Sequence, residues 1–189
     1  NAGDITVKKN VSSGIAGEVT LGVESGSGGI KLADSGAVTL SGLNSGVSLY
    51  TNGGSIQQDA ELTVSGALSM TTKSTTGDIT LDNAANDFTG TVTVPSTGAG
   101  AVVLKDVNAL TLGAMSNMAG LSVTAGSGLT VSGAITASSG NISLTASGLN
   151  QLLTISQPVE ATNGDVSYTA DNLTHTASTT TASSAGHFS

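Results

Sequence analysis

Short apolar–polar–apolar triplets recur along the whole chain and constrain its fold more than any other feature. Each has an apolar residue or Tyr at its flanks and Thr, Ser or Lys at its centre, as in Ile5-Thr6-Val7. Because successive side chains of a β-strand point to opposite faces, the flanks face one side and the centre faces the other. Gly, Asn, Asp and Ser separate the triplets, as turn residues do. The pattern predicts short strands at the triplets that begin at residues 5, 19, 30, 38, 47, 62, 68, 79, 92, 110, 121, 129, 142, 153 and 166.

A longer repeat is superimposed on the triplets. Gly, then Asp or Asn, then Ile or Val occurs at residues 3–5, 77–79, 140–142 and 164–166. The last residues of these phrases are 74, 63 and 24 positions apart, which we interpret as three, three and one turns of a coil of about 23 residues. A second phrase, Leu-Thr-Val-Ser-Gly-Ala-Leu at 62–68, returns almost unchanged at 129–135. Its offset corresponds to about 22 residues per coil if three coils separate the copies.

A coil of this length cannot bury its apolar face alone, but stacked coils share one continuous core. We therefore predict an all-β fold, a right-handed parallel β-helix (β-solenoid) of about eight coils of roughly 23 residues. Residues 1–172 are assigned to the solenoid repeats, and residues 173–189 to a Ser/Thr-rich C-terminal segment, either a final partial coil or a flexible tail. An antiparallel sandwich or barrel remains the alternative, although the two Asn-Gly pairs give little hairpin signal for it.

The composition suits a narrow aliphatic core. Four of the 189 residues are aromatic and none is Trp, whereas 54 are Ser or Thr. A wide globular core normally uses aromatic side chains, because each buries a large area. Disorder is the competing interpretation of a chain rich in Ser and Gly, but 38% of the residues are hydrophobic and only 10% are charged.

The charge balance limits the partners. Five Lys, no Arg and 13 acidic residues give a formal net charge of −8. Nucleic-acid binding depends on a basic surface that displaces counterions from phosphates, so no nucleic-acid partner is expected. No apolar run approaches the roughly 20 residues of a membrane-spanning helix, so membrane insertion is not expected either.

The chain contains no cysteine. Secreted proteins commonly use disulfides, but a chain that crosses a bacterial outer membrane unfolded would be hindered by disulfides formed in the periplasm. The first residue is Asn1, with no Met and no signal peptide before it. We therefore expect a processed or excised piece of a secreted or cell-surface bacterial protein.

One stretch carries a resemblance to a known family. The strings 79–90, which contain Asn83-Ala84-Ala85-Asn86-Asp87-Phe88, and 107–113 resemble the repeats of filamentous-haemagglutinin-like proteins. These are large exoproteins of two-partner secretion, and similar repeats occur in autotransporter passengers. The resemblance covers most of residues 3–170 and is clearest over 55–145. It implies a right-handed parallel β-helix, export through an outer-membrane pore, and a role in adhesion, biofilm or contact-dependent competition.

Parallel β-helices also include polysaccharide-active enzymes, and this class is the main alternative. Their sites need clustered carboxylates for acid–base chemistry. The 13 carboxylates here are dispersed, and the closest groups are Asp59 with Glu61 and Asp82 with Asp87. We interpret them as turn and rim residues. We therefore expect no catalytic, cofactor-binding or metal-binding residues and no enzyme.

Weaker signals concern ligands. His175 and His187 lie in the Ser/Thr-rich segment, without a motif for catalysis or metal binding. Residues 25–29 have the glycines of a calcium-binding β-roll without its Asp, so a structural calcium stays open and no other cofactor is expected. Threonines at 89, 91 and 93 and at 174 and 176 alternate as in an ice-binding face, although the triplet centres vary between Thr, Ser and Lys. Residues 10–12, 141–143 and 172–174 match the N-glycosylation pattern.

The function expected from these features is structural or adhesive. The chain would be a rod or fibre subunit of a bacterial surface protein, with polar strand faces for weak multivalent contacts. The two ends of a solenoid are open strand edges unless capped, and the sequence shows no amphipathic helix to cap them. The expected partners are other copies stacked end to end or adjacent repeats of a longer chain, and host or matrix glycans or proteins. A glycan- or ice-binding solenoid remains a further alternative.

Overall fold

The computed structural model describes residues 3–13, 17–42, 45–73, 76–95, 98–178 and 180–182. Within these ranges the chain forms strands and turns and no helix. The strands, in chain order, are β1 (Ile5–Val7), β2 (Val11–Ser12), β3 (Val19–Val23), β4 (Ile30–Leu32), β5 (Val38–Ser41), β6 (Val47–Thr51), β7 (Ile56–Gln58), β8 (Leu62–Ser65), β9 (Leu68–Thr72), β10 (Ile79–Leu81), β11 (Asp87–Phe88), β12 (Thr91–Val94), β13 (Ala99–Asp106), β14 (Leu110–Ala125), β15 (Leu129–Val131), β16 (Ile135–Ala137), β17 (Ile142–Ala146), β18 (Leu152–Ile155), β19 (Val159–Ala161), β20 (Val166–Thr169), β21 (Asn172–His175) and β22 (Thr180–Ala182).

The first face of the molecule is a parallel stack of β1, β4, β7, β10, β13, the C-terminal half of β14, β17 and β20. The chain makes about seven turns with a spacing of about 23 residues, which confirms the predicted parallel β-solenoid and its period. The Gly-Asp/Asn phrase repeats after three, three and one turns, as the sequence indicates. One row of inward residues defines these turns: Ile5, Ile30, Ile56, Ile79, Val102, Leu121, Ile142 and Val166.

The Gly-Asp/Asn phrase has a physical cause. In three of the four phrases, the side-chain oxygen of the Asp or Asn accepts a hydrogen bond from a backbone N–H of the following coil. Asp4 Oδ1 accepts the N–H of Gly29 at 2.8 Å, and Asp78 Oδ1 accepts that of Ala101 at 2.8 Å. Asn141 Oδ1 accepts a backbone N–H at 2.9 Å in the same way. An Asx residue precedes four of the eight first-face strands, namely β1, β10, β17 and β20, and at the first three of these its side chain links the strand to the following coil.

The other faces change along the rod. The second face consists of β2, β5, β8 and β11, which form a separate four-stranded parallel sheet. The third face begins with β3, β6, β9, β12 and the N-terminal half of β14. It continues as pairs of short strands, namely β15 with β16, β18 with β19, and β21 with β22. The second sheet therefore ends at β11. In the later coils the third face consists of two short strands joined at a corner.

Burial alternates along the strands as the triplets predict, and all fifteen triplets lie in strands. In β4, for example, Ile30 and Leu32 are buried and Lys31 between them is partly exposed. The buried side chains form one core that is almost wholly aliphatic. Among the described residues, Phe88 is the one aromatic side chain buried in it. Each buried aliphatic side chain contributes roughly 1.5–3 kcal/mol, so stabilisation is distributed along the whole rod.

The second repeated phrase returns after three coils, as its offset predicts, but its two copies are not in register. Leu68 lies in line with Val131, three coils later. Its counterpart in the phrase is Ile135, four positions further along the chain. Paired residues of adjacent coils are separated by as few as 19 and as many as 29 positions. A sequence offset divided by a mean period therefore does not establish register in this fold.

Candidate functional site

Outward residues of the third face form a threonine row. Each threonine pairs in register with the next one along the rod. Because adjacent parallel strands are about 4.8 Å apart, hydroxyl and methyl groups recur at that spacing. The threonine row consists of Thr91, Thr111, Thr130, Thr154 and Thr174.

A hydroxyl patch covers the last three coils of the first face. The strands β14, β17 and β20 each present one Ser and one Thr outward, in register with those of the neighbouring coil. Together with the threonine row, this patch arranges outward Ser and Thr residues, some of them triplet centres, as regular arrays on two faces. Its members are Ser122, Ser143, Ser167, Thr124, Thr145 and Thr169.

Two threonines of the predicted alternating pattern lie outside the strands. The Thr89 hydroxyl accepts the Gly66 N–H at 3.2 Å and donates to the Val64 carbonyl at 3.3 Å, and β12 begins only at Thr91. Thr176 follows the end of β21. Both are corner residues whose hydroxyls bind backbone, so the predicted runs of three and two threonines are not continuous outward faces.

Asp59, one of the candidate carboxylates, belongs to an ion network across three coils. Lys31 Nζ lies 2.7 Å from Asp34 Oδ1 and 2.8 Å from Asp59 Oδ2. Lys8 Nζ lies 3.0 Å from the other oxygen of Asp34. Hydrogen bonds from Lys31 and Lys8 hold the pKa of Asp34 below its ordinary value. The arrangement links neighbouring coils and holds Asp59 against a lysine.

Lys31→Gln is expected to lower the thermal midpoint at neutral pH and low salt, because it leaves two carboxylates without their shared cation. Since the folded-state pKa of Asp34 is lowered, its stabilisation is present above pH 3.8 and is lost as the pH falls through the lower folded-state value. Salt also screens exposed pairs, with a Debye length of about 3 Å at 1 M. Circular dichroism melts at neutral and acid pH, each with and without added salt, measure the effect.

The matched control is Lys105→Gln, which removes the same charge from a lysine without an ion pair in the described part of the chain. We expect its midpoint to change little with salt. A Lys31→Gln deficit that persists in molar salt would contradict an ionic role.

The remaining candidate carboxylates do not converge. Glu61 and Asp82 are exposed, and Asp87 Oδ1 accepts a hydrogen bond from Asn108 Nδ2 at 3.2 Å. Three open grooves have volumes of about 250, 140 and 610 Å³. The first is lined by Asp4, the second by Asp106, and the third by no carboxylate. None of the three grooves brings together two carboxylates for acid–base chemistry.

The buried carboxylate of Asp106 closes the second sheet, and the sequence pattern gave no indication of it. Asp106 is 3% exposed. Its Oδ2 accepts the N–H of Phe88 at 2.7 Å and its Oδ1 that of Asn108 at 2.8 Å. Burial raises the pKa of Asp106, although both backbone donors favour the charged form. Because Phe88 ends β11, the last strand of the second face, the carboxylate accepts the hydrogen bond that a following strand would accept.

A buried amide pair lies beside this carboxylate. The Asn86 side chain is fully buried. It exchanges two hydrogen bonds with Gln58, at 2.7 and 2.8 Å. Its Oδ1 also accepts the Leu62 N–H at 3.0 Å, and its Nδ2 donates to the Leu81 carbonyl at 3.2 Å. Every hydrogen-bonding group of the side chain is engaged, so Asn86 joins two coils where the second face ends.

The candidate ligand sites are not assembled. Residues 25–29 lie in the turn between β3 and β4, with Gly26 in the left-handed region at φ 77°. In the described ranges, no group of three or more His, Asp and Glu side chains could hold a metal ion. His175 faces Tyr168, with ring centroids 6.3 Å apart. His187 lies outside the described residues.

Two of the three glycosylation-pattern asparagines have structural roles. Asn10 Oδ1 accepts the Thr39 N–H at 2.8 Å, and Asn141 forms the equivalent bond to the next coil. Asn172 is exposed at the start of β21. The described residues include no helix long and apolar enough to cross a membrane.

Comparison with known proteins identifies a repeat family. The sequence model of that family, described as repeats of unknown function (DUF5649), matches residues 1–95 and 99–158. The interruption falls between β12 and β13. No curated protein and no solved structure matches the chain.

Proposed function

Since the chain belongs to the DUF5649 repeat family, we propose that it is one length of a rigid extracellular rod with a structural or adhesive role. The observation that carries the proposal is the unbroken inward row from Ile5 to Val166. Each coil buries its apolar side against its neighbours, so the fold lengthens by repetition. A shape of this kind spaces or presents surfaces rather than enclosing a substrate.

The outward arrays supply the contacts. The threonine row and the hydroxyl patch repeat the same donors and acceptors from coil to coil. Single hydroxyl contacts are weak, but a partner that engages several at once gains avidity without a deep pocket. Glycans and proteins of an extracellular matrix are the partners proposed for these faces, and neighbouring repeats are the partners proposed for the coil edges.

The absence of catalysis and the extracellular location are part of the same proposal. Asp59, Asp87 and Asp106 are all bound to side chains or backbone of neighbouring coils, which supports a structural use of carboxylates. The cysteine-free sequence and the resemblance of residues 79–90 to filamentous-haemagglutinin-like repeats support export as a secreted or surface-bound chain.

Surface labelling tests this proposal. Antibodies against the purified chain are applied to intact cells of the organism that makes it, before and after treatment with an external protease. Labelling that the protease removes is expected, and labelling only after permeabilisation would contradict the location. Adhesion is measured with beads that carry the chain on matrix-coated surfaces. Thr130→Lys, which interrupts the threonine row, should reduce retention more than Thr20→Lys, an outward change on the same face of the first coil.

The threonine row favours a second candidate, an ice-binding solenoid. Five threonines at a constant strand spacing form a more regular array than the variable triplet centres indicate. Ice-growth measurements in a nanolitre osmometer test this candidate. A gap between melting and freezing points that Thr130→Lys abolishes would support it, and crystal growth identical to that in buffer would reject it.

A further inference from the structure

We infer that two copies of the chain pair side by side, in antiparallel orientation, through an uncharged section of the rod formed by residues 107–159. The inference goes beyond the proposed function, because it assigns a second copy of the chain as the partner of one corner of the rod. Its first support is the distribution of charge along the sequence.

One long section of the sequence has no charged side chain. Residues 107–159, more than two coils of about 23 residues, contain no Asp, Glu, Lys, Arg or His, and all five lysines and all 13 acidic residues lie outside this range. Because the net charge is −8, two copies of the chain repel each other. The uncharged section is where they approach with the least repulsion, and the cores of protein interfaces are likewise depleted of charged residues.

The exposed apolar side chains of this section lie at one corner. Among the described residues, Val107, Leu149 and Leu152 are 50%, 87% and 43% exposed, and all three lie where the chain passes from the first face to the third. We call these three residues the apolar corner. Leu173 is also exposed, but it lies in line with the inward Leu153 and so belongs to the end of the core. Clustered apolar side chains on the surface of a soluble protein commonly mark an interaction site.

The apolar corner combines a protruding side chain with a recess. In the coil between those of Val107 and Leu149, the chain turns through Gly126-Ser127-Gly128 and has no large side chain there. The groove of about 140 Å³ lies at this place, with Val107, Gly126 and Ser147 in its lining. Leu149 protrudes from the turn between β17 and β18, one coil further along. A surface that carries both a protrusion and a neighbouring recess is self-complementary under two-fold symmetry.

The charges that flank the apolar corner favour the antiparallel orientation. Lys105 lies in the first and Asp171 in the last of four successive coils, and neither makes an ion pair within the described part of the chain. A two-fold axis between the second and third of these coils places Lys105 of each copy opposite Asp171 of the other. The same axis places Leu149 opposite the Gly126 turn. A parallel pair would instead bring like charges together, which is unfavourable.

Sedimentation velocity of the purified chain at concentrations up to about 1 mM, a range that also detects weak interfaces, tests the pairing. We expect a reversible equilibrium between monomer and dimer. Leu149→Asp places a charge in the apolar corner of each copy and should raise the dissociation constant about tenfold or more. Ala134→Asp is the matched control, because it adds the same charge to an exposed residue of the uncharged section at another corner, between β15 and β16. A parent that stays monomeric, or a control that loses association equally, would overturn the inference.

Charge reversal and cross-linking test the orientation. Lys105→Glu should weaken the pair, and Lys105→Glu/Asp171→Lys should restore it, because the double variant exchanges the two signs. The chain has no cysteine, so molecules carrying Lys105→Cys and molecules carrying Asp171→Cys can be mixed and treated with a short bis-maleimide. We expect cross-links between the two kinds of molecule and none within either kind alone. Cross-links between like molecules, or a folded double variant that does not recover association, would overturn the antiparallel arrangement.

A milder variant covers the case in which the double variant does not give a parent-like circular dichroism spectrum. Asp171 Oδ2 accepts the Asn150 N–H, and Asp171→Asn keeps an acceptor at this position while it removes the charge. It should weaken the pair as Lys105→Gln does, and unchanged pairing in both variants would count against the contact between the two charges. These measurements use purified protein in solution, so their outcome is independent of the surface-labelling and adhesion tests.

Discussion

Gly54→Ala is expected to destabilise the folded chain by about 3 kcal/mol, at the upper end of overpacking costs. Gly54 lies at the corner between the third and first faces. A Cβ at this position would lie 2.1 Å from the Gly28 carbonyl oxygen and 2.4 Å from its carbon. Both atoms are backbone of the preceding coil, so no side-chain rotation relieves the clash. Thermal unfolding should show a midpoint lowered by roughly 6–12 °C for a chain of this length.

Gly128→Ala is the matched control, with an effect of opposite sign. The nearest atom to a Cβ there is the Leu152 carbonyl oxygen at 3.5 Å, an ordinary contact. Without a clash, the loss of unfolded-state freedom should stabilise the chain by about 0.4–1 kcal/mol. If Gly54→Ala instead melted like Gly128→Ala, the close approach of the coils at the Gly54 corner would be wrong.

The parts of the fold that could be predicted from the sequence are those set by local chemistry. Alternation is a property of each strand by itself, so every triplet identified a strand. The Gly-Asp/Asn phrase identified the turn number correctly because its Asx side chain makes the same hydrogen bond to the following coil at three of the four places where the phrase occurs.

Several strands escaped the triplet pattern for identifiable reasons. In β16 and β19 the second inward residue is a fully buried alanine, Ala137 in β16 and Ala161 in β19. The triplets were identified by larger apolar side chains at both flanks, so an alanine flank gave too weak a signal. In β7 that position is Gln58, whose amide pairs with Asn86 instead of joining the aliphatic core. Register was also beyond prediction, because turns of unequal length absorb the differences between coils.

The buried polar groups were the least predictable part of the candidate site. Asp106 and Asn86 resemble ordinary turn residues in the sequence, since Asp and Asn are common in turns. Their burial depends on the end of the second sheet at Phe88, which is a property of the whole stack. The Asn-rich segment 83–87 was conspicuous in the sequence, but its hydrogen-bond partners lie one coil earlier, at Gln58 and Leu62.

Asn86→Leu is expected to cost about 3 kcal/mol, because it removes the acceptor of the buried Leu62 N–H and the Asn86 Nδ2 donor to Gln58 Oε1 and the Leu81 carbonyl. Denaturant unfolding followed by circular dichroism measures the loss. Asn163→Leu is the control: this exposed asparagine donates one hydrogen bond, to the Ser138 carbonyl at 2.9 Å. We expect a much smaller change there, and equal losses at both sites would contradict a special role for the buried pair.

Asn86→Asp provides a pH test of the same geometry. A carboxylate there would face two acceptors, the Leu81 carbonyl and Gln58 Oε1, both of which now receive Asn86 Nδ2 donors. Burial and facing acceptors disfavour the charged form and raise the folded-state pKa of the new carboxyl above its unfolded value. The native state then binds more protons than the unfolded state between those two values, so stability rises as the pH falls through this window. We expect the deficit of Asn86→Asp relative to the parent to be large at neutral pH and to shrink on acidification, whereas that of Asn86→Leu stays constant. Parallel pH profiles for the two variants would rule out the donor role of Asn86 Nδ2.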